Sequence, residues 1–279
     1  MSLTERDRQI PRKREDLKRA LEEDLQRMPG VIGLFYGGSV ASGSMDFYSD
    51  LDVRVVTEDE AFERVVNKKK IFPDRWGKVL FYEDIGPSAP YTIAHYDGFF
   101  KVDVFIYRVS DLQPGIWLKD LEIVYDPSGR LQGIREESIA LSTELNQSQV
   151  EKWRGKTLAY VHEAYRRAAR EEWYYALQCV DAIRWSIAAG WQMEQGMEPN
   201  NPLDWAKLEG SRSPLSKEQQ QLLAGWWVKE RITADVNRVL LEMKEPYISV
   251  ETVLAKRSGL KVTAEDTRRI WEMAVSEQD

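Results

Sequence analysis

The sequence predicts an α+β protein, with an α/β domain containing a mixed sheet in its first half and an all-helical bundle in its second half. Short apolar runs separated by turn residues fill the first half, as is typical of strands. Long stretches with the helical periodicity of apolar residues fill the second half. Hydrophobic residues make up 43% of the 279-residue chain, which is enough to form the cores of two domains.

Six strands are expected in the first half, each bounded by turn or polar residues. They are VIGLFY, LDVRVV, KVLFYED, YTIAHYDG, FFKVDVFIY and EIVYDPSG. Helices are expected before the first strand, in RKREDLKRALEEDLQRM, and after the second, in EDEAFERVVNKK. The mixture of strands and intervening helices indicates an α/β or α+β arrangement for this half.

Three long stretches in the second half have the pattern of amphipathic helices. They are QSQVEKWRGKTLAYVHEAYRRAAREE, EWYYALQCVDAIRWSIAAGW and SKEQQQLLAGWWVKERITADVNRVLLEMK. The DPSG turn and the polar run ELNQSQ, which can cap a helix, place the change between Gly129 and Ser148. We therefore expect one domain over residues 1–140 and a second over residues 148–279.

Composition narrows the classes of partner. A net charge of -7 argues against a protein that binds nucleic acid over a broad face, and it suits a cationic partner. The alternative is that the acidic surface serves only solubility.

Two histidines are too few for a zinc cluster or a histidine-based triad. The single cysteine, Cys179, lies in a helical apolar pattern and is expected to be a buried, inert thiol. The basic run Lys68–Lys70 is expected to be a solvated helix end.

Hydropathy gives an expectation about location. The chain has no run of 18 apolar residues, and MSLTERDRQIPRKRE lacks the apolar segment of a secretory signal. We therefore expect a cytoplasmic protein with no membrane partner. The sequence leaves the oligomeric state open.

The stretch GLFYGGSVASGSMDFYSDLDVRVV, residues 33–56, is the first candidate site. A strand followed by two glycines, Ser39 and a short helix-compatible segment can present backbone N–H groups and a hydroxyl to phosphate oxygens. Gly-Gly-Ser is also common in ordinary turns. This part of the stretch therefore leaves a phosphate loop and a plain turn as alternatives.

Two aspartates open the strand that follows. In SDLDVRVV the strand period of two places Asp50 and Asp52 on one face and the apolar residues on the other. Like charges at this spacing repel, and a hard divalent cation such as Mg²⁺ is the usual means of neutralising them. The alternative is a strand that begins with solvated aspartates.

A third aspartate lies in FFKVDVFIY. Asp103 is flanked by valines and shares its strand face with Phe105 and Tyr107, so it is costly to bury without a partner. On a strand next to that of Asp50 and Asp52, it would complete a cluster of three carboxylates able to hold two divalent ions. The alternative is an aspartate in an ion pair with Lys101, Arg54 or Arg108.

These motifs resemble those of a known superfamily. The succession GGS, SDLD and a later strand-borne Asp103 resembles the nucleotidyltransferase superfamily that includes DNA polymerase beta. GGSVASGSMDFYSDLDV resembles its antibiotic-modifying branch, and AHYDGFFKVDVFIYRVSDL followed by LKDLEIVYDPSG is similar to the streptomycin, or aminoglycoside 6-, adenylyltransferases. The resemblance covers the first half of the chain and, in outline only, the helical half.

The resemblance implies a set of residue roles. Gly38 and Ser39 would contact the terminal phosphates of the nucleotide, and Asp50 and Asp52 would be ligands of the metal ions. Asp103 would be the third carboxylate, beside the attacking hydroxyl. Two Mg²⁺ ions and ATP as nucleotide donor are the implied cofactors, and the products would be a nucleoside monophosphate ester and pyrophosphate.

Further nucleotide contacts are expected from Ser49 and from Lys152 and Lys156, since lysines from the helical half of similar two-domain enzymes can reach triphosphate oxygens. Exposed lysines without a ligand are the alternative for this pair. One departure from the family is visible: Ser42 precedes Gly43 where relatives often carry arginine. That phosphate contact would have to come from another residue, and the base preference stays open.

An acidic and aromatic group in the helical half is expected to face the acceptor between the two halves. It comprises Glu171, Glu172, Tyr174 and Asp181, with an ion pair to Arg184 as the alternative for Asp181. The predicted function is transfer of AMP to a hydroxyl of a small cationic molecule of the aminoglycoside kind. The alternatives are transfer to a protein or RNA hydroxyl, and a binding protein that kept the fold without activity.

Overall fold

The structure, a computed structural model, describes residues 3–142 and 144–275. The chain divides into two compact units, Met1–Ser142 and Thr143–Asp279. The first contains a six-stranded sheet and the second consists of helices and loops in its described part, which confirms the predicted α+β class. Among the described helices, none combines the length and apolar character needed to cross a membrane.

The strands of the first unit lie close to their predicted positions. They are β1 (Val31–Tyr36), β2 (Leu51–Thr57), β3 (Val79–Glu83), β4 (Tyr91–Tyr96), β5 (Phe100–Arg108) and β6 (Glu122–Tyr125). Its α-helices are α1 (Glu5–Gln26), α2 (Gly38–Ala41), α3 (Phe62–Val66) and α4 (Arg130–Ile139).

The sheet has the strand order β3-β4-β5-β2-β1-β6. β2 and β5 pair in parallel, whereas the other neighbouring strands pair antiparallel, so the sheet is mixed as predicted. The parallel pair lies at the centre of the sheet although β3 and β4 separate its strands in sequence. This crossover brings the aspartates of two distant segments onto neighbouring strands.

Apolar residues cover both faces of the sheet. On one face, Leu21 and Leu25 of α1 belong to the same core cluster as Leu34 and Val53 of the strands. On the other, Phe35, Val56, Leu118 and Leu131 belong to a smaller cluster. Successive strand residues point to opposite faces, so the residues that alternate with Val53 lie on the side of the smaller cluster.

α1 begins earlier than the sequence predicted, at Glu5 instead of near Arg12. A capping box explains the earlier start: the hydroxyl of Thr4 accepts from the backbone N–H of Asp7 at 3.1 Å, and the carboxylate of Asp7 accepts from the N–H of Thr4 at 2.9 Å. Pro11 lies inside the helix without ending it, since the helix continues to Gln26. Ile10, next to the proline, packs into the core.

The basic run after α3 is only partly the solvated helix end that the sequence predicted, since Lys68 and Lys70 are exposed and Lys69 is buried. The side chain of Lys69 is only 4% exposed, and its ammonium donates to Asp84 Oδ1 at 2.7 Å and to the carbonyls of Gly86 and Ala89 at 2.6 and 2.8 Å. Lys70 contacts the other carboxylate oxygen of Asp84 at 2.8 Å. The run therefore anchors the segment between β3 and β4.

The second unit contains five helices among its described residues. They are α5 (Gln147–Ala168), α6 (Trp173–Glu194), α7 (Lys217–Gly225), α8 (Thr233–Ser258) and α9 (Ala264–Val275). The third predicted stretch is not one continuous helix, since α7 ends at Gly225 and α8 begins at Thr233. Asp235 in the first turn of α8 accepts from the backbone N–H of Glu230 at 2.8 Å, and this contact stabilises the break.

The core of the second unit combines closely packed aromatic rings with an ion pair to a buried glutamate. Tyr247 lies 5.1 Å from both Trp153 and Trp271, measured between ring centroids. Glu251 is 1% exposed and accepts from Arg154 Nε at 2.7 Å. Cys179 is fully buried, as expected, and burial raises the pKa of its thiol to about 11.

Candidate active site

Two aspartates stand opposite each other at the centre of the sheet. The parallel register of β2 and β5 pairs Asp52 with Asp103 and, one residue earlier, Leu51 with Val102. Leu51 and Val102 are fully buried, so their side chains fill the core on one face and the two aspartates lie on the other. The predicted placement of Asp103 beside the strand of Asp52 is what the structure shows.

Lys101 connects Asp50 to this pair of aspartates. Its ammonium lies 2.8 Å from Oδ2 of Asp50 and 2.6 and 2.7 Å from Oδ1 and Oδ2 of Asp103. The structure therefore brings Asp50, Asp52 and Asp103 into one cluster and places a cation within it. Of the partners that the sequence offered for Asp103, Lys101 is the one found.

The cluster changes the proton affinities of its members. Burial raises the pKa of Asp103, the contacts with Lys101 oppose this, and the negative charges of Asp52 and Asp50 add to the rise, so the net shift is upward. Burial alone would lower the pKa of Lys101, but its hydrogen bonds to Asp103 and Asp50 outweigh that effect and raise the pKa. Lys101 is therefore a charged ammonium at neutral pH.

The Gly-Gly-Ser loop packs directly on Asp52. Gly37 donates its N–H to the carbonyl of Asp52 at 3.1 Å, and Gly38 has a φ of +58°, where glycine is favoured. A Cβ atom on Gly38 would stand 2.0 Å from Oδ2 of Asp52. Ser39 is 6% exposed, and its hydroxyl has no hydrogen-bond partner among the described residues. The loop thus packs on Asp52 at Gly38 and carries, one residue later, a buried hydroxyl without a partner among the described residues.

The segment before β2 is held by hydrogen bonds of its own. The hydroxyl of Ser49 donates to Asp46 Oδ1 at 2.9 Å and accepts from the N–H of Asp46 at 2.9 Å. Arg14 of α1, 7% exposed, donates to the carbonyls of Asp46 and Ser49 at 2.9 and 2.7 Å. Ser49 therefore shapes the approach to Asp50, and nothing in the sequence pattern indicated that Arg14 would support it.

Arg54 is a second cation near the loop, and the sequence indicated it only as a possible partner for Asp103. Its Nη1 donates to the carbonyl of Asp52 at 2.9 Å and would lie 2.5 Å from a Cβ atom on Gly37. Its guanidinium lies 5.0 and 6.0 Å from the ring centroids of Phe105 and Trp117. Its Nε is buried without a hydrogen-bond partner in the described part of the chain. The alternation in β2 already placed Arg54 on the face of Asp52.

The fit of a divalent ion to these residues is partial. Carboxylates are the ligands that Mg²⁺ prefers, and Asp52 stands against the loop that carries the partnerless hydroxyl of Ser39. Both oxygens of Asp103, however, are bonded to Lys101. Within residues 3–142 and 144–275, no three histidine, cysteine, aspartate or glutamate side chains are arranged to hold a metal ion together. Asp52 therefore offers a carboxylate against the loop, whereas Asp103 and one oxygen of Asp50 are engaged by Lys101.

The lysines predicted for the nucleotide lie on α5 of the second unit. Lys152 and Lys156 are exposed and one helical turn apart. The ammonium of Lys156 lies 4.6 Å from the ring centroid of Tyr160. This contact leaves the charged group at the surface of the unit.

The acidic residues predicted for the acceptor lie at the start of α6 and within it. Glu171 is exposed, with a φ of 59°, and Glu172 accepts from Arg167 Nη1 at 2.5 Å. Tyr174 is 80% exposed, with the guanidinium of Arg231 4.9 Å from its ring centroid. Of the two glutamates, Glu172 therefore already has an arginine partner.

Asp181 has two partners from its own unit. It accepts from Arg184 Nη2 and, at 3.1 Å, from the indole N–H of Trp205. The guanidinium of Arg184 lies 4.8 and 4.2 Å from the ring centroids of Trp205 and Trp227. The ion pair that the sequence offered as the alternative for Asp181 is therefore present.

Comparison with known proteins agrees with this geometry in the first unit. Residues 17–95 match the family model of the nucleotidyltransferase domain. The matched segment includes the Gly-Gly-Ser loop, Asp50 and Asp52, and it ends before Asp103. Residues 17–95 are therefore similar to a nucleotidyltransferase domain, as the resemblance in the sequence predicted.

Several solved structures are similar to this chain at low sequence identity. An aminoglycoside 6-adenyltransferase from Bacillus subtilis is 11% identical, with a TM-score of 0.43, and the match covers 99% of this chain and 100% of that one. A nucleotidyltransferase-like protein from Exiguobacterium sibiricum 255-15 is 14% identical, with a TM-score of 0.42, and the match covers 88% of this chain and 77% of that one. No curated protein sequence matches the chain.

Proposed function

We propose that this protein transfers AMP from ATP to a hydroxyl group of a small cationic acceptor, such as an aminoglycoside. A bond forms between the acceptor oxygen and the α-phosphorus, the bond from that phosphorus to the β-phosphate oxygen breaks, and the acceptor proton and pyrophosphate leave. The observation that carries the proposal is the convergence of Asp50, Asp52 and Asp103 in a unit whose residues 17–95 are similar to a nucleotidyltransferase domain.

The nucleotide would bind at the Gly-Gly-Ser loop. Gly38 and the hydroxyl of Ser39 would contact the terminal phosphates, since that hydroxyl has no partner among the described residues. Arg54, with its buried and partnerless Nε beside Gly37, would supply the positive charge that Ser42 does not. Lys152 and Lys156 of the second unit remain candidate triphosphate contacts, and the hydroxyl of Ser49 would act by holding the segment before Asp50.

Asp50 and Asp52 are the residues that would hold Mg²⁺ with the nucleotide. When bound, the ion would neutralise the charge that builds on the phosphates during transfer. Asp103 would accept the proton of the acceptor hydroxyl at one of its carboxylate oxygens, and its raised pKa makes it a better base than an exposed aspartate. Lys101 would orient that carboxylate.

The proposed acceptor is cationic because the chain is acidic and its first half resembles enzymes that modify polyamine sugars. Glu171 offers an exposed carboxylate, and Tyr174 offers an exposed ring. At Glu172 and Asp181 an incoming ammonium group would compete with Arg167 and Arg184. A cytoplasmic location is part of this proposal.

The deciding measurement is pyrophosphate release from ATP and Mg²⁺ in the presence of streptomycin, kanamycin or spectinomycin, each at low and high salt. We expect one of them to be turned over. The acceptor KM should rise with salt because exposed ionic contacts are screened over about 8 Å at physiological ionic strength. The KM for ATP should change less, since its phosphates would bind in a more buried site.

Asp52→Asn tests the role of the cluster, because it keeps the size of the side chain and removes one negative charge. It should remove turnover while the far-ultraviolet circular dichroism stays unchanged. If no aminoglycoside is turned over while a protein or RNA is labelled from radioactive ATP, the acceptor class is wrong and the nucleotidyl transfer stands. If nothing is labelled and ATP does not bind, the catalytic proposal itself fails.

A further inference from the structure

We propose that the ammonium group of Lys101 is a tethered cation that competes with divalent ions for Asp103. A divalent ion would then reach this carboxylate only when the lysine side chain moves away. The inference concerns the same site as the proposed function and rests on it for the identity of the carboxylate cluster. The competition itself is a property of the nucleotide-free protein.

The ammonium of Lys101 contacts two of the three acids directly. It has three carboxylate oxygens within 2.8 Å: both oxygens of Asp103 and Oδ2 of Asp50. Such short contacts are typical of charge-assisted hydrogen bonds. The ammonium thus neutralises part of a cluster of three acids.

A divalent ion and the ammonium compete for Asp103. Mg²⁺ binds carboxylate oxygens at about 2.1 Å, and two cations held by the same pair of oxygens would repel strongly at that separation. Both oxygens already lie within 2.7 Å of the ammonium nitrogen. Binding of the ion to Asp103 is therefore opposed as long as the lysine contacts are in place.

Lys101 is able to leave. Its side chain is 31% exposed, and lysine has a flexible four-carbon stem that lets the charged group swing toward solvent. The ammonium also links Asp50, immediately before β2, to Asp103 on β5, so its loss exposes the carboxylates to their mutual repulsion. Without the lysine, the cluster would depend on an external cation.

The test compares Mn²⁺ binding to the full chain without nucleotide, measured from the electron paramagnetic resonance signal of free Mn²⁺. Lys101→Met should bind Mn²⁺ about tenfold or more tightly than the unsubstituted protein, by the usual strength of a close opposite charge on a carboxylate. Lys78→Met is the matched control, because it removes the same charge from an exposed pair, 3.8 Å from Asp97. Its affinity should change by less than about twofold.

Two further variants keep the outcome decisive. Asp103→Asn added to Lys101→Met should remove the gain in affinity, and Lys101→Gln serves if Lys101→Met does not fold. Equal Mn²⁺ affinity of the Lys101 variants and the unsubstituted protein, or a gain that survives Asp103→Asn, would overturn the competition. Because no turnover is measured, this failure is distinct from a failure of the proposed function, which would appear as a lack of ATP binding or transfer.

Discussion

Gly38 and Asp52 stand so close that a methyl group on residue 38 would lie 2.0 Å from Oδ2 of Asp52. The Gly-Gly-Ser loop and the carboxylate of Asp52 are therefore in close contact, with no space for a side chain at residue 38. Gly38→Ala should displace one of them and lower the rate of nucleotidyl transfer by about tenfold or more, since a small misplacement of reacting groups is costly. The measurement is kcat/KM for ATP in the pyrophosphate assay.

Gly43→Ala separates the clash from backbone strain. Gly43 also has a positive φ, +64°, but a Cβ atom there would meet no heavy atom within 4 Å. Both substitutions should cost about 1 kcal/mol of stability from the backbone alone. Equal activity of the two variants would show that the closeness of Gly38 to Asp52 has no catalytic importance.

Asp103→Asn should lower kcat by about a hundredfold or more, because an amide cannot accept the proton of the acceptor hydroxyl. The Kd for ATP should stay within about threefold, since the nucleotide contacts are assigned to the Gly-Gly-Ser loop. Stopped-time pyrophosphate assays and equilibrium binding of ATP measure the two quantities. A variant with normal kcat would leave Asp103 as no more than the structural partner of Lys101.

The first unit was predictable because its signals are local. The alternation in SDLDVRVV and FFKVDVFIY gave both the strands and the face of Asp52 and Asp103, and the structure agrees. The partner of Asp103 was not decidable, because Lys101, Arg54 and Arg108 all lie on or beside the same strands. The choice depends on register and on where Asp50 stands, which only the folded sheet defines.

Asp84 should contribute acid-sensitive stability to the first unit. Burial would raise its pKa, but hydrogen bonds from Lys69, Lys70 and the N–H of Gly86 outweigh this and lower the pKa from 3.8 to about 2. Its stabilisation is therefore complete above pH about 4 and is lost as the pH falls toward about 2. Asp84→Asn should be destabilised at pH 7, with a difference from the unsubstituted protein that shrinks over this window.

Urea unfolding of both proteins at a series of pH values measures this difference. Asp97→Asn is the control, because Asp97 is 64% exposed and lies 3.8 Å from Lys78, whereas Asp84 is 6% exposed and lies 2.7 Å from Lys69. The control should lie within about 0.5 kcal/mol of the unsubstituted protein at every pH. A difference for Asp84→Asn that stays constant down to pH 2 would contradict the assignment.

Glu251→Gln should destabilise the second unit by about 2 to 4 kcal/mol, since it leaves the charge of Arg154 without its buried partner. Glu251 also accepts from Thr267 at 2.6 Å, so one carboxylate connects α5, α8 and α9. Glu245→Gln, which breaks an exposed pair with Arg268, should cost less than about 1 kcal/mol. Tryptophan fluorescence during urea unfolding reports mainly on this unit, because eight of the ten tryptophans lie in it.

A loss of similar size in both variants would mean that the buried position of Glu251 adds nothing. The sequence could not single out this residue, because Glu251, Arg154 and Thr267 are far apart along the chain and carry no pattern of their own. The missed break before α8 has a local cause: helical periodicity continues through Trp226–Ile232, whereas the backbone N–H groups of Lys229 and Glu230 donate to Asp235. Neither kind of polar contact is visible in the periodicity of apolar residues.

The buried thiol of Cys179 makes the chain convenient for site-directed labelling. A thiol with a pKa of about 11 and no exposed surface reacts slowly with maleimides and methanethiosulfonates, because the thiolate is the reacting form. A cysteine introduced at an exposed position such as Ser44 would therefore take up a nitroxide or fluorophore selectively, without prior removal of the native cysteine. Ser44 follows the Gly-Gly-Ser loop closely, so a spin label there could detect paramagnetic ions and nucleotides as they arrive.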